Sequence, residues 1–311
     1  MFEIKRYTTE NKKVWDDFVE SSQNGTFLFK RNYMDYHSDR FDDFSLLIYR
    51  KNKLYALLPA NKVQGTLYSH QGLTYGGFIT TSKSGTIEML EIFKLLNLFL
   101  KSNNITEVIY KPVPYIYHLL PSQEDLYALF RNEAILIGRN ISSTIYQSNK
   151  IKFIESRKSG IRKALNSKIE ISESTDYSSF WKILDDNLIN KYGTQPVHSL
   201  AEIEYLHSKF PDNIKLYLAY NENQILGGTV LYLTKNVLHT QYISANFSGK
   251  ESGALDLLFD KLINEIYTDY PVFDFGQSTE QMGNILNESL IFQKEGFGGR
   301  GVTYDIYKYT L

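Results

Sequence analysis

Three apolar runs rich in β-branched and aromatic residues, separated by short polar turns, stand in the second half of the chain. The runs are residues 214–220, 225–233 and 237–245. This pattern predicts three strands of an antiparallel meander. A glycine-bearing loop is predicted at 246–253, and the apolar periodicity of 254–267 predicts a helix. The last run, 272–275, predicts a short buried strand.

The first half repeats this order of elements. A hairpin with a polar turn is predicted at 44–60, and further strand at 67–69 and 77–80. The apolar periodicity of 85–101 predicts a long helix, and 105–111 predicts the strand after it. Two copies of one order of elements indicate a tandem duplication of an α/β domain.

The expected fold class is therefore α/β (α+β), with two domains. We place the first domain at 1–148 and the second at 149–311, each a mixed, mostly antiparallel sheet flanked by helices. The length agrees, because 311 residues exceed what one ordinary domain contains. Residues 177–192 and 199–209 predict helices before the second meander, and the latter opens with a capping box.

Basic residues concentrate where the two domains would join. Between 150 and 168 the chain has one acid, Glu155, and seven basic residues: Lys150, Lys152, Arg157, Lys158, Arg162, Lys163 and Lys168. Their spacing predicts a basic amphipathic helix. Arg157 and Arg162 are candidates for binding the phosphates of a nucleotide-linked precursor, since guanidinium groups bind phosphate oxygens in pairs. The alternative is a solvated helix face.

Composition narrows the classes of function. The net charge is −1, so the chain lacks the global basic field of general nucleic-acid binders. With no cysteine it has no thiolate nucleophile, and the spacing of its six histidines predicts no metal site. No run approaches the roughly 20 apolar residues of a membrane span. The charged N-terminus lacks the apolar core of a signal peptide, so we expect a cytoplasmic protein.

Several motifs of the second half together resemble the Fem-like branch of the GNAT acyltransferase superfamily, which includes peptidoglycan aminoacyltransferases. The motifs are RKSGIRKA at 157–164, QPVHS at 195–199, HTQYISA at 239–245, FDFG at 273–276 and KEGFG at 294–298. The first half resembles it by the order of its elements. The resemblance implies tandem GNAT-like domains with one active site in the cleft between them.

The resemblance also implies the reaction. An acyl or aminoacyl group would be transferred to an amine or hydroxyl of a cell-envelope or polysaccharide precursor. The branch has a lysine two residues before a Gly-Phe pair, where it stabilises the transferring carbonyl, and Lys294 stands at that position. The alternative for Lys294 is a solvated lysine on a surface turn.

The donor site is expected at the glycine-bearing loop. The resemblance implies that Gly249, Lys250, Ser252, Gly253 and Ala254 bind the pyrophosphate of acyl-CoA, such as acetyl-CoA, through backbone N–H groups and the helix dipole. The chain departs from the usual motif because Leu255 stands where a small residue belongs. It also lacks the long coiled-coil arm of several aminoacyl-tRNA-dependent members, so acyl-CoA is favoured and aminoacyl-tRNA is the alternative donor. An ordinary strand-to-helix loop remains open.

Further candidates stand on the strands around that loop. Strand alternation predicts His239 and Gln241 on one face, toward donor or acceptor, and Tyr242 on the other. His239 is a candidate catalytic residue, with a buried, hydrogen-bonded histidine as the alternative. Asp274 lies in an apolar run and must find a partner, either a substrate amine or Arg300.

The first domain is expected to shape the acceptor groove. Its glycine-rich stretch at 69–77 contains Tyr75, a candidate substrate-binding residue, although a β-bulge loop also explains the glycines. Its loop at 81–85 is shorter than its counterpart at 246–253, so no second donor site is expected. Three functions are left open: a direct-attack transferase, a non-catalytic module that binds a glycan or nucleotide, and RNA binding through residues 150–168.

Overall fold

The computed structural model of the protein describes residues 1–311 apart from the side chain of Tyr192. The chain forms two compact units. Unit 1 comprises Met1–Ile141, Thr279–Leu286 and Thr303–Leu311, and unit 2 comprises Ser142–Ser278 and Asn287–Val302. Two short segments from the second half of the chain are thus part of unit 1. A division of the chain at one position cannot assign them to it.

The first half of the chain supplies most of unit 1. Its helices are α1 (Lys12–Ser21), α2 (Arg31–Met34), α3 (Thr86–Ser102) and α4 (Glu124–Arg131). Its strands are β1 (Phe2–Arg6), β2 (Asp42–Asp43), β3 (Leu46–Arg50), β4 (Lys53–Leu58), β5 (Asn61–Val63), β6 (Thr66–Tyr68), β7 (Ile79–Thr80), β8 (Glu107–Tyr110) and β9 (Ile135–Tyr146). One antiparallel sheet has the order β1-β3-β4-β7, and a second sheet contains β8-β6-β5-β2.

Helix α3 shows why the first half folds as predicted. Its buried residues Met89, Ile92, Phe93, Leu96 and Leu100 recur every three or four positions and enter the core of unit 1. The helix connects the parallel strands β6 and β8, whose other neighbours are antiparallel. Two parallel strands need such a crossover connection, because a tight turn can join only antiparallel strands.

Unit 2 contains the second series of elements. The helices are α5 (Glu155–Asn166), α6 (Tyr177–Tyr192), α7 (Leu200–Lys209), α8 (Phe247–Ser252), α9 (Ala254–Lys261) and α10 (Glu288–Gly296). The strands of the second half are β10 (Glu170–Ser174), β11 (Ile214–Asn221), β12 (Gln224–Leu233), β13 (Val237–Ala245), β14 (Val272–Gln277), β15 (Thr279–Glu280), β16 (Ile285–Leu286) and β17 (Arg300–Thr310). The predicted meander, β11 to β13, and the strand β14 are confirmed.

The sheet of unit 2 has the order β10-β11-β12-β13-β14, and the end of β9 pairs with β14. All neighbours are antiparallel except β13 and β14, which are parallel and joined through α8 and α9. A mixed, mostly antiparallel sheet flanked by helices is thus confirmed in both units. The helix predicted over 254–267 is α-helical to Lys261 and continues as the π-helical turn Leu262–Ile266.

Strands β13 and β14 separate soon after they begin to pair. Their pairing covers only Val237 with Val272, Leu238 with Phe273, and His239 with Asp274. Beyond it, Gly276 adopts a φ of 74°, a left-handed conformation that favours glycine. The separation opens space between the ends of the two strands. In the part of the chain that the structure describes, no helix has the length and apolarity needed to cross a bilayer.

Candidate functional site

A cavity of about 220 Å³ lies in unit 2 at the separating ends of β13 and β14. We call it the β13–β14 cavity. Its walls come from α6, β13, α8, α9, β14 and α10. They include the apolar residues Leu184, Leu188, Ile243, Phe259, Phe275 and Phe297. Polar groups line it as well, chiefly Asn187, Lys191, Lys250, Gln293 and Lys294. An apolar cavity with a few polar groups is the usual form of a small-molecule site.

Lys294 lies in the wall of this cavity. Its side chain extends from α10, is only 4% exposed, and donates from Nζ to the carbonyl oxygens of Gly276 and Gln277, both at 2.8 Å. Burial lowers the pKa of Lys294 to about 8, although the charge of Asp274 acts in the opposite direction. The alternative of a solvated surface lysine is therefore wrong. A buried ammonium with a lowered pKa is characteristic of functional sites.

Asp274 is fully buried on β14 and binds three side chains. Its Oδ1 accepts from the hydroxyl groups of Ser142 and Thr144, the latter at 2.9 Å, and its Oδ2 lies 2.8 Å from Nδ1 of His239. Burial acts to raise the pKa of Asp274, but the bonds from His239, Ser142 and Thr144 more than offset it, so the pKa is lowered. The partner suggested by the sequence, Arg300, is wrong, since its guanidinium binds the Gly299 carbonyl.

The ionised carboxylate fixes the tautomer of His239. A carboxylate only accepts hydrogen bonds, so Nδ1 of His239 carries the proton that it donates to Asp274. In the neutral ring Nε2 then keeps its lone pair. The side chain is 13% exposed, so solvent or a substrate reaches it. An aspartate that orients a histidine in this way is the geometry of a general base.

His239 and Lys294 both reach Gly276. A Cβ built on Gly276 would lie 3.1 Å from Cε1 and 3.6 Å from Nε2 of His239, and the carbonyl of the same residue accepts from Lys294. The structure thus brings the three predicted catalytic residues, Lys294, His239 and Asp274, together around the point where β14 leaves its neighbour.

A β-bulge changes the faces predicted for β13. Val230 of β12 pairs with Tyr242 and Leu231 with Thr240, so Gln241 is an extra residue in β13. Alternation is therefore interrupted, and His239 and Tyr242 point to the same face of the sheet. The prediction that they face opposite sides is wrong.

Tyr242 is held by its surroundings in unit 2. Its hydroxyl accepts from the backbone N–H of His198 at 3.1 Å and lies 2.6 Å from Nδ1 of the same residue. Its ring packs edge-on against Trp181. Burial raises the pKa of Tyr242 to about 12. These contacts anchor the segment between α6 and α7 to β13.

Comparisons with known proteins find similar folds among solved structures. No protein-family model and no curated protein matches the chain. FemX, as a solved structure, is similar over 99% of this chain and 97% of its own, with 12% identity and a TM-score of 0.71. The C-terminal domain of a putative lysylphosphatidylglycerol synthetase from Agrobacterium fabrum matches 96% of this chain and 92% of its own, with 10% identity and a TM-score of 0.61. A tandem GNAT protein from the clavulanic acid biosynthesis pathway matches 100% of this chain and 98% of its own, with 8% identity and a TM-score of 0.50.

The chain has the fold of the Fem-like branch of the GNAT superfamily. The resemblance inferred from its motifs is confirmed at the level of the fold. Tandem GNAT-like organisation is confirmed with it.

The glycine-bearing segment of this Fem-like fold is not the predicted loop. Residues 247–252 form helix α8, because the Asn246 side chain caps it by accepting from the N–H of Gly249 at 2.8 Å. The N–H of Lys250 donates to Asn246 O, and that of Gly253 to Gly249 O. The backbone N–H groups of Gly249, Lys250 and Gly253 are thus already used within the chain. The predicted loop at 246–253 is a capped helix.

Helix α5 occupies the space beside Gly253. A Cβ on Gly253 would lie 2.4 Å from the carbonyl oxygen of Gly160, so the two backbones are in close contact. Arg157 forms an ion pair with Asp256 at 2.7 Å, which places a carboxylate in the first turn of α9. That carboxylate repels phosphate and already interacts with the helix dipole. This carboxylate and the close approach of α5 disfavour a pyrophosphate at the start of α9, where a cavity of about 310 Å³ is lined by Gly249 and Gly253.

Two further residues predicted to bind substrate, Arg162 and Tyr75, have partners within the protein. Arg162 is exposed and pairs with Glu155 at 2.6 Å, whereas Arg157 pairs with Asp256. Tyr75 is a core residue of unit 1, 3% exposed, whose hydroxyl donates to Thr26 at 3.2 Å. The structure thus offers no open surface at Tyr75.

Ser142, Thr144 and Asn187 are site residues that the sequence reasoning missed. The two hydroxyl groups bind Asp274, and Asn187 lines the β13–β14 cavity and accepts from Lys250 at 2.5 Å. One signal was available: residues 142–144 read Ser-Ser-Thr within a buried strand. Among the residues described, no group of three or more His, Asp or Glu is placed to hold a metal ion.

Proposed function

We propose that the protein is an acyltransferase that moves an acyl or aminoacyl group to an amine or hydroxyl at the β13–β14 cavity. One observation carries the proposal: a buried ammonium, Lys294, and an oriented imidazole, His239, both lie against Gly276, and Lys294 lines an apolar cavity. The fold supports it, because the similar structures include FemX and a tandem GNAT protein. Direct attack on the acyl carbonyl is the mechanism that these groups suit.

In this mechanism Nε2 of His239 takes the proton of the attacking amine or hydroxyl. Its lone pair is available because Nδ1 is bound to Asp274. The ion pair with the Asp274 carboxylate then stabilises the imidazolium that forms. As the new bond to the carbonyl carbon forms, the bond to the sulfur or oxygen of the carrier breaks, and the imidazolium returns the proton to that leaving atom.

Lys294 stabilises the charge that develops on the carbonyl oxygen. Its ammonium is held by the carbonyls of Gly276 and Gln277, and a third N–H remains for the substrate oxygen. Because the group is buried, its charge acts in a medium of lower dielectric constant than water. It would therefore stabilise the transition state more than an exposed lysine does.

The rate should fall as the pH rises through about 8, since the pKa of Lys294 is lowered to about 8 and the neutral amine loses its charge. A pH–rate profile of kcat measures this limb. In Lys294→Arg any remaining activity should lose the limb, because a guanidinium stays protonated throughout. An unchanged limb in that variant would assign the titration to another group.

Acyl-CoA was the favoured donor in the sequence, and we assign no step to it. The amides of Gly249, Lys250 and Gly253 are used within α8 and its cap, and α5 lies against Gly253. Aminoacyl-tRNA gains support from the same observation. Lys150, Lys152 and Lys158 line a further cavity of about 340 Å³ in unit 2, where a polyanionic donor would find positive charge.

The proposed acceptor is an amine or hydroxyl of a cell-envelope or polysaccharide precursor. The similarity to FemX and to a domain named for lysylphosphatidylglycerol synthesis supports this class. In the second case the name describes an aminoacyl group on a lipid head group, which is the bond type that the site would form.

A transfer assay tests the proposal directly. Acetyl-, hexanoyl- and octanoyl-CoA, leucyl-tRNA and phenylalanyl-tRNA would each be incubated with the protein and two acceptors, a muramoyl-pentapeptide nucleotide and phosphatidylglycerol vesicles. Mass spectrometry of the acceptor should show one added acyl group with at least one donor. Binding of these compounds without any transfer would overturn the proposal and favour the non-catalytic binding module.

A further inference from the structure

We propose that the β13–β14 cavity selects an acyl or aminoacyl group with an apolar, uncharged chain, about seven non-hydrogen atoms in all. The inference rests on the proposed function and names the substrate class of its site. The cavity has about 220 Å³, and at about 30 Å³ for each non-hydrogen atom, as in liquid water, it takes about seven atoms. An acetyl group would leave more than half of that space empty.

The walls of the cavity are suited to a hydrocarbon chain. Their apolar side chains come from five separate elements, with Leu184 on α6, Ile243 on β13, Phe259 on α9, Phe275 on β14 and Leu290 on α10. Phe259 and Phe275 are only 1% and 2% exposed, so they form a dry surface. Each methylene moved from water to such a surface should strengthen binding about fourfold.

The charged residues around the cavity exclude an acyl group with a cationic side chain. They are Lys191, Lys250 and Lys294, and the lining residues that the structure describes include no Asp or Glu. Lys191 and Lys250 are exposed, whereas Lys294 is buried. A lysyl side chain would therefore meet like charges and no carboxylate. The carboxyl end of an acyl group, in contrast, would lie close to three cations.

Isothermal titration calorimetry of the full chain with simple carboxylates tests the inference without any donor. The probes are acetate, butanoate, hexanoate and octanoate, and hexylammonium as the match in length with opposite charge. Affinity should rise about fourfold per methylene as far as hexanoate and then level off. Hexylammonium should not bind. Equal binding of acetate and hexanoate, or binding of hexylammonium as tight as that of hexanoate, would overturn the proposal.

Two cavity variants should shift the preferred length in opposite directions. Ile243→Phe fills the cavity and should move the optimum to butanoate, while Leu290→Ala enlarges it and should move the optimum to octanoate. Ile189→Phe is the matched control, because Ile189 is an exposed residue of α6 outside the cavity lining. Thermal unfolding of each variant confirms that it is folded. An unchanged length profile in both folded variants would show that the cavity does not set the length.

The inference and the proposed function fail in different ways. If the carboxylates show the expected length profile but the transfer assay yields no product, the cavity binds acyl groups and the transferase proposal is wrong. If transfer proceeds equally well with acetyl and hexanoyl donors, the transferase proposal stands and the selectivity is wrong.

Discussion

Replacing His239 by glutamine is expected to lower kcat by about 10²–10⁴-fold, the range for loss of a general base. The glutamine side chain can still donate a hydrogen bond to Asp274, but it cannot take a proton from the attacking nucleophile. The carboxylate therefore keeps a partner, and the fold should be retained. Steady-state kinetics with the donor and acceptor found in the transfer assay would measure the loss.

A matched histidine separates this effect from a general loss of stability. His207 on α7 is half-buried and holds the Ile214 carbonyl at 2.9 Å, outside the residues that surround Gly276. His207→Gln should leave kcat within about threefold of the unaltered protein, since no proton transfer depends on it. If His239→Gln retained as much activity as this control, His239 would not be the base.

Replacing Lys294 by methionine is expected to lower kcat by about 10²–10³-fold, as for removal of one oxyanion-stabilising donor. Methionine has a similar length and fills the same space without charge. The Gly276 and Gln277 carbonyls lose their partner, which costs stability of about 1–3 kcal/mol for each buried acceptor left unsatisfied. Kinetics should be measured below the unfolding transition for that reason.

Lys261→Met is the control for this change. Lys261 pairs with Glu265 on the surface at 2.6 Å. It lines neither the β13–β14 cavity nor the cavity lined by Lys150, Lys152 and Lys158. Its replacement should leave kcat unchanged. If Lys294→Met lost binding of the donor but kept kcat, the lysine would contribute to ground-state binding and not to the transition state.

Local patterns predicted the elements of this fold well. Residues 177–192 form α6 as predicted, and Ser199 and Glu202 make both bonds of the predicted capping box. The runs at 214–220, 225–233 and 237–245 lie within β11, β12 and β13. These features depend on side chains a few positions apart, so a single sequence contains the information.

The sequence predicted which residues belong to the candidate site but not how they are arranged. Lys294, His239 and Asp274 were each named from the chain, yet the partner of Asp274 was not. Its bonds to Ser142 and Thr144 span 132 and 130 residues, and its bond to His239 spans 35. Pairings over such distances follow from the register of β13, β14 and β9, which no local pattern specifies.

The segment at 246–253, predicted to bind the donor, also depends on contacts that the pattern of glycines does not specify. Glycines at 249 and 253 are compatible with a loop or with a short helix and its left-handed end, and the cap from Asn246 selects the helix. The bulge at Gln241 similarly reverses the faces expected from alternation.

The sequence by itself determined most of the order of strands and helices, the tandem repeat and the three candidate catalytic side chains. Periodicity, caps and motifs are local, and they are sufficient for that much. Only the tertiary structure decided that Lys294 is buried, that Asp274 orients His239, and that α5 lies against Gly253. Burial and partner depend on segments far apart in the chain that pack together, and those contacts set charge, pKa and access at the site.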